Sequence, residues 1–241
     1  MRIPRIYTAQ QLDENSVLTL DEQASQHCLK VLRMEVGREL ILFNGDNSYF
    51  PAHIVGATKK SAEVQTQEKI VENSESPLLT HLAIAVSRGD RFDFVLQKAT
   101  ELGVTQITPL FTERTEVKLQ TERLQKKHIS WEKIIISACE QCGRNTLPQL
   151  HSPQTLAEFL GSISAEKKYV LHHRNTATLT SEIKPQSLAL LIGPEGGLSD
   201  EEIQSAHAQG FENLALGPRV LRTETAPLAA LAIVQSLWGD M

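Results

Sequence analysis

Glu195 stands alone among the glycines of Gly193-Pro194-Glu195-Gly196-Gly197-Leu198, a loop with three glycines around one carboxylate. Glycine lets main-chain N–H and C=O groups approach a ligand with no side chain between them. Phosphate cradles place a Lys and a Ser or Thr beside such glycines, and dinucleotide folds carry GxGxxG. Neither spacing occurs here. A carboxylate in the loop repels a triphosphate and tolerates a neutral or cationic ligand, such as a nucleoside carrying a sulfonium. A second glycine-bearing stretch, Leu214-Ala215-Leu216-Gly217-Pro218-Arg219, runs on through Val220-Leu221-Arg222-Thr223-Glu224-Thr225-Ala226. One such loop is explained by an ordinary turn with a glycine cap; two, followed by Arg222 and Glu224, point to a ligand cleft.

The elements that must position these loops are legible beside them. The apolar run ending at Ile192 reads as a strand buried on both faces. Ser199-Asp200-Glu201-Glu202 fits a capping box, with Ser199 at the cap and Glu202 reaching back, so a helix opens directly after the first loop. The second unit again runs from a strand into a loop.

The blocks GPEGGLS and LGPRVLRTETA resemble the cofactor-binding signature of the SPOUT superfamily of S-adenosylmethionine-dependent methyltransferases, and within it the RsmE-type enzymes that methylate uridine N3 in small-subunit (16S) ribosomal RNA. The likeness extends to HCLKVLRMEVGREL with the following FNG, to KATELGVTQITPLFTERT and to ACEQCGR. It implies an α/β fold: a C-terminal SPOUT-type parallel sheet with a trefoil knot, preceded by a small N-terminal PUA-like β-barrel that binds RNA. It also implies a homodimer with cofactor clefts near the interface.

By that resemblance Leu171, Ile192, Gly193, Glu195, Gly196, Gly197, Leu216, Gly217 and Leu221 enclose S-adenosylmethionine, and Thr225 and Ala226 close its other side. Uridine N3 carries an imide proton, so something must accept the proton or stabilise the anion. Arg222 could do the second; Glu195 or Glu224 could do the first or fix that arginine. An Arg222–Glu224 pair of purely structural meaning remains the alternative. Arg5, Lys30 and Arg33 are the expected phosphate contacts of the barrel, with Arg88, Arg91 and Arg144 extending the track. The resemblance implies small-subunit ribosomal RNA as the expected acceptor, either naked or in the assembled subunit.

Composition is compatible with this. The 241 residues suffice for one large domain or two small ones, and 41% hydrophobic residues suffice for a core. No apolar run is long enough to span a membrane, and the N-terminus lacks a signal-peptide pattern, so a cytoplasmic location is expected. Three cysteines, an odd number, fit a reducing compartment. Cys139-Glu140-Gln141-Cys142 is formally CxxC but has no second pair, and the eight histidines show no ligand spacing, so no metal is expected. His172-His173 ends a strand and either lines the cleft or is buried. The net charge of −5 argues against binding nucleic acid by bulk charge. Basic side chains nevertheless cluster locally: Arg2 with Arg5; Lys30, Arg33 and Arg38; Arg88 with Arg91; Lys126 with Lys127.

Along the chain the first part reads as mainly β. Strands are expected at 2–7 and 17–20, a helix over Asp21–Met34 with Ala24, Cys28, Val31 and Leu32 on one side, and a hairpin at Asn44-Gly45-Asp46. Further strands are expected near 49–56 and 61–71. The polar stretch ENSESP marks the boundary between a barrel at 1–72 and a methyltransferase domain at 73–241. From Leu79 strands and helices alternate, with a long helix from about Gln120 to Cys142 and a shorter one near Gln154–Leu160. The final segment Ala226–Val234 has no polar side chain, so it must be covered on more than one side, by its own domain or by a second subunit. Two rival functions stay open: a SPOUT enzyme acting on a ribose hydroxyl or a tRNA base, and a non-catalytic RNA-binding assembly factor.

Overall fold

The computed structural model describes residues 3–116, 121–172, 179 and 184–241. Arg2, Gln120 and His173, named above, lie outside the described residues. The chain divides into two compact units. The first comprises residues up to Glu75 together with Ile136–Leu147; the second comprises Ser76–Ile135 and Pro148–Met241. The first unit is therefore discontinuous, which a single boundary at 72/73 does not capture.

In the first unit, strands β1 (Arg5–Tyr7), β3 (Glu39–Phe43), β4 (Ser48–Ala57), β5 (Ala62–Thr66) and β2 (Val17–Thr19) are hydrogen-bonded in that order, and β6 (Ile70–Val71) pairs with β4. β1 runs parallel to β3 and the rest antiparallel. Alternating burial along β4 sends Phe50, Ala52 and Ile54 into a core with Ile6, Leu40, Leu42 and Val64. The β3–β4 hairpin turns at 44–47, where the Asn-Gly signal placed it, with Gly45 (φ 93°) and Asn47 (φ 64°) in the left-handed region.

Helix α1 (Glu22–Gln26) is shorter than expected. Asp21 caps it by accepting from Ala24 N–H at 2.9 Å. The chain then widens into a π-type turn over His27–Val31, and Met34 N–H donates to the Cys28 carbonyl at 2.9 Å. Widening brings Cys28 and Met34 into the core and leaves Val31 70% and Leu32 40% exposed, so the single apolar side expected for this helix is not formed.

The second segment of this unit is tied in by polar contacts. Tyr7 N–H donates to Glu140 Oε1 at 3.0 Å, Asn145 Nδ2 donates to the Glu72 carbonyl at 3.0 Å, and Arg144 Nε donates to Glu75 Oε1 at 2.9 Å. Cys28 and Cys139 are buried thiols pushed up to about 12, mainly by desolvation, which leaves them unreactive.

The second unit is a parallel sheet in the order β10 (Gln154–Thr155), β8 (Gln106–Phe111), β7 (Leu79–Ala85), β12 (Ser187–Ile192), β11 (Lys167–Leu171), β13 (Glu212–Leu214), with β9 (Gln149–Leu150) also on β8. Every pairing is parallel. Ala83, Leu110, Val170, Ala189 and Leu191 face α4 (Leu156–Ser162) and α5 (Asp200–Ala208) through Phe159, Leu160 and Ala206. Helix α2 (Arg91–Glu101) packs on α6 (Thr225–Trp238), and α6 on β12. Helix α3 (Thr121–Cys142) runs from the second unit into the first.

Helix α6 buries Pro227, Ala230, Leu231, Val234 and Trp238 within the chain. Gln235, fully buried, accepts from Ser76 Oγ at 2.7 Å and donates to the Leu102 carbonyl at 3.1 Å. Ile233 remains 39% exposed.

Candidate functional site

The register of the parallel strands brings three strand ends together. Leu171 of β11 lies beside Leu214 of β13, and Val170 beside Leu191, so β11, β12 and β13 finish level. Loops leaving the carboxyl ends of parallel strands are where open α/β sheets bind ligands. Here they enclose a cleft of about 710 Å³.

The loop after β12 is built locally. Pro194 O accepts from Gly197 N–H at 2.8 Å, closing a turn in which Gly197 takes φ 70°. Ser199 then caps α5: its Oγ accepts from Glu202 N–H, and Glu202 Oε2 accepts from Ser199 N–H at 2.9 Å, the capping box that the sequence announced. Gly193 has no room for a side chain, since a Cβ there would stand 3.0 Å from both Leu198 Cγ and Leu198 N. Gly217, in the facing loop, takes φ 104°.

Of the expected cofactor residues, Leu171, Ile192, Gly193, Glu195, Gly196, Gly197, Leu216, Gly217, Leu221 and Ala226 all line this cleft, as does His172. Thr225 does not: it is the exposed first residue of α6, where its N–H and that of Ala226 both donate to the Arg222 carbonyl at 2.9 Å. Arg222 and Glu224 both line the cleft, 3.9 Å apart at their nearest charged atoms. Arg222 is 79% exposed while Glu224 is 19% exposed. Glu195 is held by Arg91 at 3.2 Å, so its charge reaches a ligand already neutralised in part.

The basic residues expected to meet RNA separate into three groups. Lys30 and Arg33 are exposed on the first unit, with Arg33 at φ 52° just after the π-type turn. Arg88 pairs with Glu116 at 3.0 Å on the surface, and Arg91 lines the cleft. Arg144 must be withdrawn: it is 5% exposed and grips Glu75 with two nitrogens, which removes it from any phosphate. Arg5 is half-buried and spends its guanidinium on Asn145 and on the rings of Tyr49 and Phe43, at 5.2 and 5.6 Å. It too belongs to the packing of its unit.

Of the cleft residues that sequence reasoning did not single out, Arg114 is the most tightly tied to the glycine loop. Arg114, from the TERT segment after β8, donates through Nη1 to the Gly196 carbonyl at 3.0 Å and to the Leu198 carbonyl at 3.4 Å. The block KATELGVTQITPLFTERT contained the signal, since the end of a parallel strand is where site residues lie. With Arg91, Arg219 and Arg222 it gives the cleft four guanidiniums against Glu195, Asp200 and Glu224.

The site fits a nucleoside-bearing cofactor on its own geometry. The N–H groups of Glu195, Gly196 and Leu198 have no hydrogen-bond partner among the described residues. They stand where glycines keep side chains away. Among the described residues no group of three or more His, Cys, Asp or Glu is placed to hold a metal ion. No helix among them is long and apolar enough to cross a membrane.

Comparison with known proteins agrees with this geometry. Residues 74–235 match the RNA methyltransferase domain family, and residues 20–67 match the RNA methyltransferase PUA domain family. Ribosomal RNA small subunit methyltransferase E of Buchnera aphidicola from Acyrthosiphon pisum is 37% identical over 99% of this chain and 95% of its own length. The Bacillus subtilis protein of the same name is 30% identical over 94% of this chain and 93% of its own. Among solved structures, a Legionella pneumophila methyltransferase in complex with the bound cofactor SAM superposes with a TM-score of 0.97 at 46% identity, covering both chains completely. Ribosomal RNA small subunit methyltransferase E of Neisseria gonorrhoeae bound to S-adenosyl methionine gives a TM-score of 0.92 at 38% identity over 99% of each chain.

Proposed function

The chain belongs to the small-subunit ribosomal RNA methyltransferase E family, and from that premise we propose that it methylates uridine N3 of small-subunit ribosomal RNA, using S-adenosylmethionine as cofactor. The observation that carries the cofactor assignment is the glycine-lined cleft at the level ends of β11, β12 and β13. When bound, S-adenosylmethionine supplies a methyl group made electrophilic by its sulfonium. The chain's own residues supply the rest. Leu171, Ile192, Leu216 and Leu221 give apolar walls; Gly193, Gly196, Gly197 and Gly217 give backbone contacts.

The acceptor needs a proton removed, because the neutral imide nitrogen is a weak nucleophile. Glu224, the less exposed of the two cleft carboxylates considered for this, is the favoured proton acceptor. Arg222, largely exposed and beside it, is placed to stabilise charge spread onto the uridine carbonyl oxygens. The target base must leave its stack to reach this cleft. The first unit, through Lys30 and Arg33, provides the RNA contact, and the assembled small subunit is the favoured substrate. The wider reading includes a homodimer using the exposed side of α6, a cytoplasmic location and a trefoil knot in the cofactor loops.

The test is transfer of labelled methyl from S-adenosylmethionine to small ribosomal subunits lacking the modification, followed by nucleoside analysis. N3-methyluridine is the expected product. A 2′-O-methyl nucleoside would move the chain to the ribose-modifying branch, and no incorporation into subunit, naked RNA or tRNA would leave an RNA-binding factor.

A further inference from the structure

Two peptide planes in the loop after β12 are held at both edges. In the plane joining Gly196 to Gly197, the N–H donates to Pro194 O at 2.8 Å and the carbonyl accepts from Arg114 Nη1 at 3.0 Å. In the plane joining Leu198 to Ser199, the N–H donates to Glu202 Oε2 at 2.9 Å and the carbonyl accepts from the same Nη1 at 3.4 Å. Between them lies the Gly197–Leu198 plane. Its N–H has no partner among the described residues, and the missing Cβ of Gly193 would stand 3.0 Å from that nitrogen.

Arg114 is itself fixed. Thr112 N–H donates to Thr115 Oγ1 at 3.0 Å, and Thr115 N–H donates to the Thr112 carbonyl at 3.1 Å, forming a tight turn. Glu113 N–H donates to Glu202 Oε1 at 2.8 Å, so the capping-box glutamate anchors both this turn and α5. The stem of Arg114 runs alongside Gly196, close enough that a Cβ there would rest in ordinary van der Waals contact with Arg114 Cβ at 3.4 Å and Cδ at 3.5 Å.

We propose that Arg114 is the positioning residue of the cofactor loop, fixing which way two of its peptide planes face and hence where the free Leu198 N–H is presented to S-adenosylmethionine. Other roles explain less. Arg114 is exposed and has no carboxylate partner among the described residues, so neither core packing nor a surface ion pair accounts for it. A charged donor on two carbonyls with no other partner among the described residues holds a loop that glycines alone would leave free to flip.

This rests on the cleft being the S-adenosylmethionine site, so the experiment uses the full-length protein and no RNA. S-adenosylmethionine and S-adenosylhomocysteine are titrated calorimetrically into the wild type, Arg114→Ala and Arg114→Lys, with folding followed by circular dichroism. Arg114→Ala should bind both roughly tenfold more weakly, the loss of one charge-assisted interaction. Arg114→Lys should recover part of that, and low, non-denaturing guanidinium should restore affinity to the alanine variant without changing the wild type. A folded alanine variant with wild-type affinity overturns the proposal. So does a loss that neither lysine nor guanidinium relieves, since that marks simple packing. A wild type that binds neither compound instead overturns the methyltransferase reading.

Discussion

Arg91 Nη1 lies 3.2 Å from Glu195 Oε1, an ion pair at the mouth of the cleft with both side chains partly exposed. The carboxylate that the glycine loop presents is thus spoken for by the first residue of α2, and this bears on which cleft glutamate takes the uridine proton.

If Glu224 accepts that proton, Glu224→Gln should lower the methyl-transfer rate by about a hundredfold or more, the usual contribution of a positioned general base. Glu195→Gln should stay within about fivefold, the reach of one exposed ion pair. Single-turnover transfer measured with saturating cofactor separates the two. A larger loss at Glu195 than at Glu224 would reverse the assignment.

His81 and His151 stack at 5.2 Å between ring centroids, with His81 Nε2 2.7 Å from Thr108 Oγ1. Burial, then the neighbouring His151, lowers His81 to about 4 from 6.5. The unfolded chain binds this proton first, so the stability it contributes is complete above pH 6.5 and is lost as pH falls towards 4. The full effect is about 3 kcal/mol, of which about 2 kcal/mol is gone at pH 5. Urea unfolding of the wild type at pH 8 and pH 5 should show that loss, and His81→Asn should show a visibly flatter dependence. Equal slopes for the two proteins would remove His81 from the acid response.

Replacing Lys30 and Arg33, both exposed on the first unit, with alanine should weaken RNA binding. Its salt dependence should flatten by about 0.7 log units per lost phosphate contact, the single-strand value. Cofactor affinity without RNA should not change. Equal losses of both affinities would show that these residues support the fold rather than the RNA contact.

For assembly, the two sides of α6 give opposite expectations. Leu231 is fully buried within its own chain, so Leu231→Glu, which would otherwise serve to break a dimer, should simply unfold it by burying an unpaired charge. Ile233, 39% exposed, is the residue that tests the interface. Light scattering should show a dimeric wild type and a folded, monomeric Ile233→Glu. A folded Ile233→Glu of unchanged mass would take this side of α6 out of the interface.

Features set within a few residues were legible in the sequence, because they depend on local hydrogen bonds and backbone angles. The Ser199–Glu202 capping box, the left-handed turn after Asn44 and the glycine loops are of this kind. The family-like blocks carried most of the expected cleft residues for the same reason: these lie in two short segments, after β12 and β13, on either side of β11. Helix α1 was only half legible, since its apolar spacing suits an α-helix but the core receives Cys28 and Met34 through a wider turn.

Residues whose meaning depends on distant partners were decided by tertiary structure alone. Arg144 looks like a free basic side chain until Glu75, 69 positions away, closes on it in a buried site. Arg114 reaches Gly196 across 82 positions. The segment 136–147 looks like the end of a helix in one domain and folds with the other. A charge in a sequence has no environment; only the fold supplies the burial and the partner that decide whether it meets solvent, a substrate or a carbonyl of its own chain.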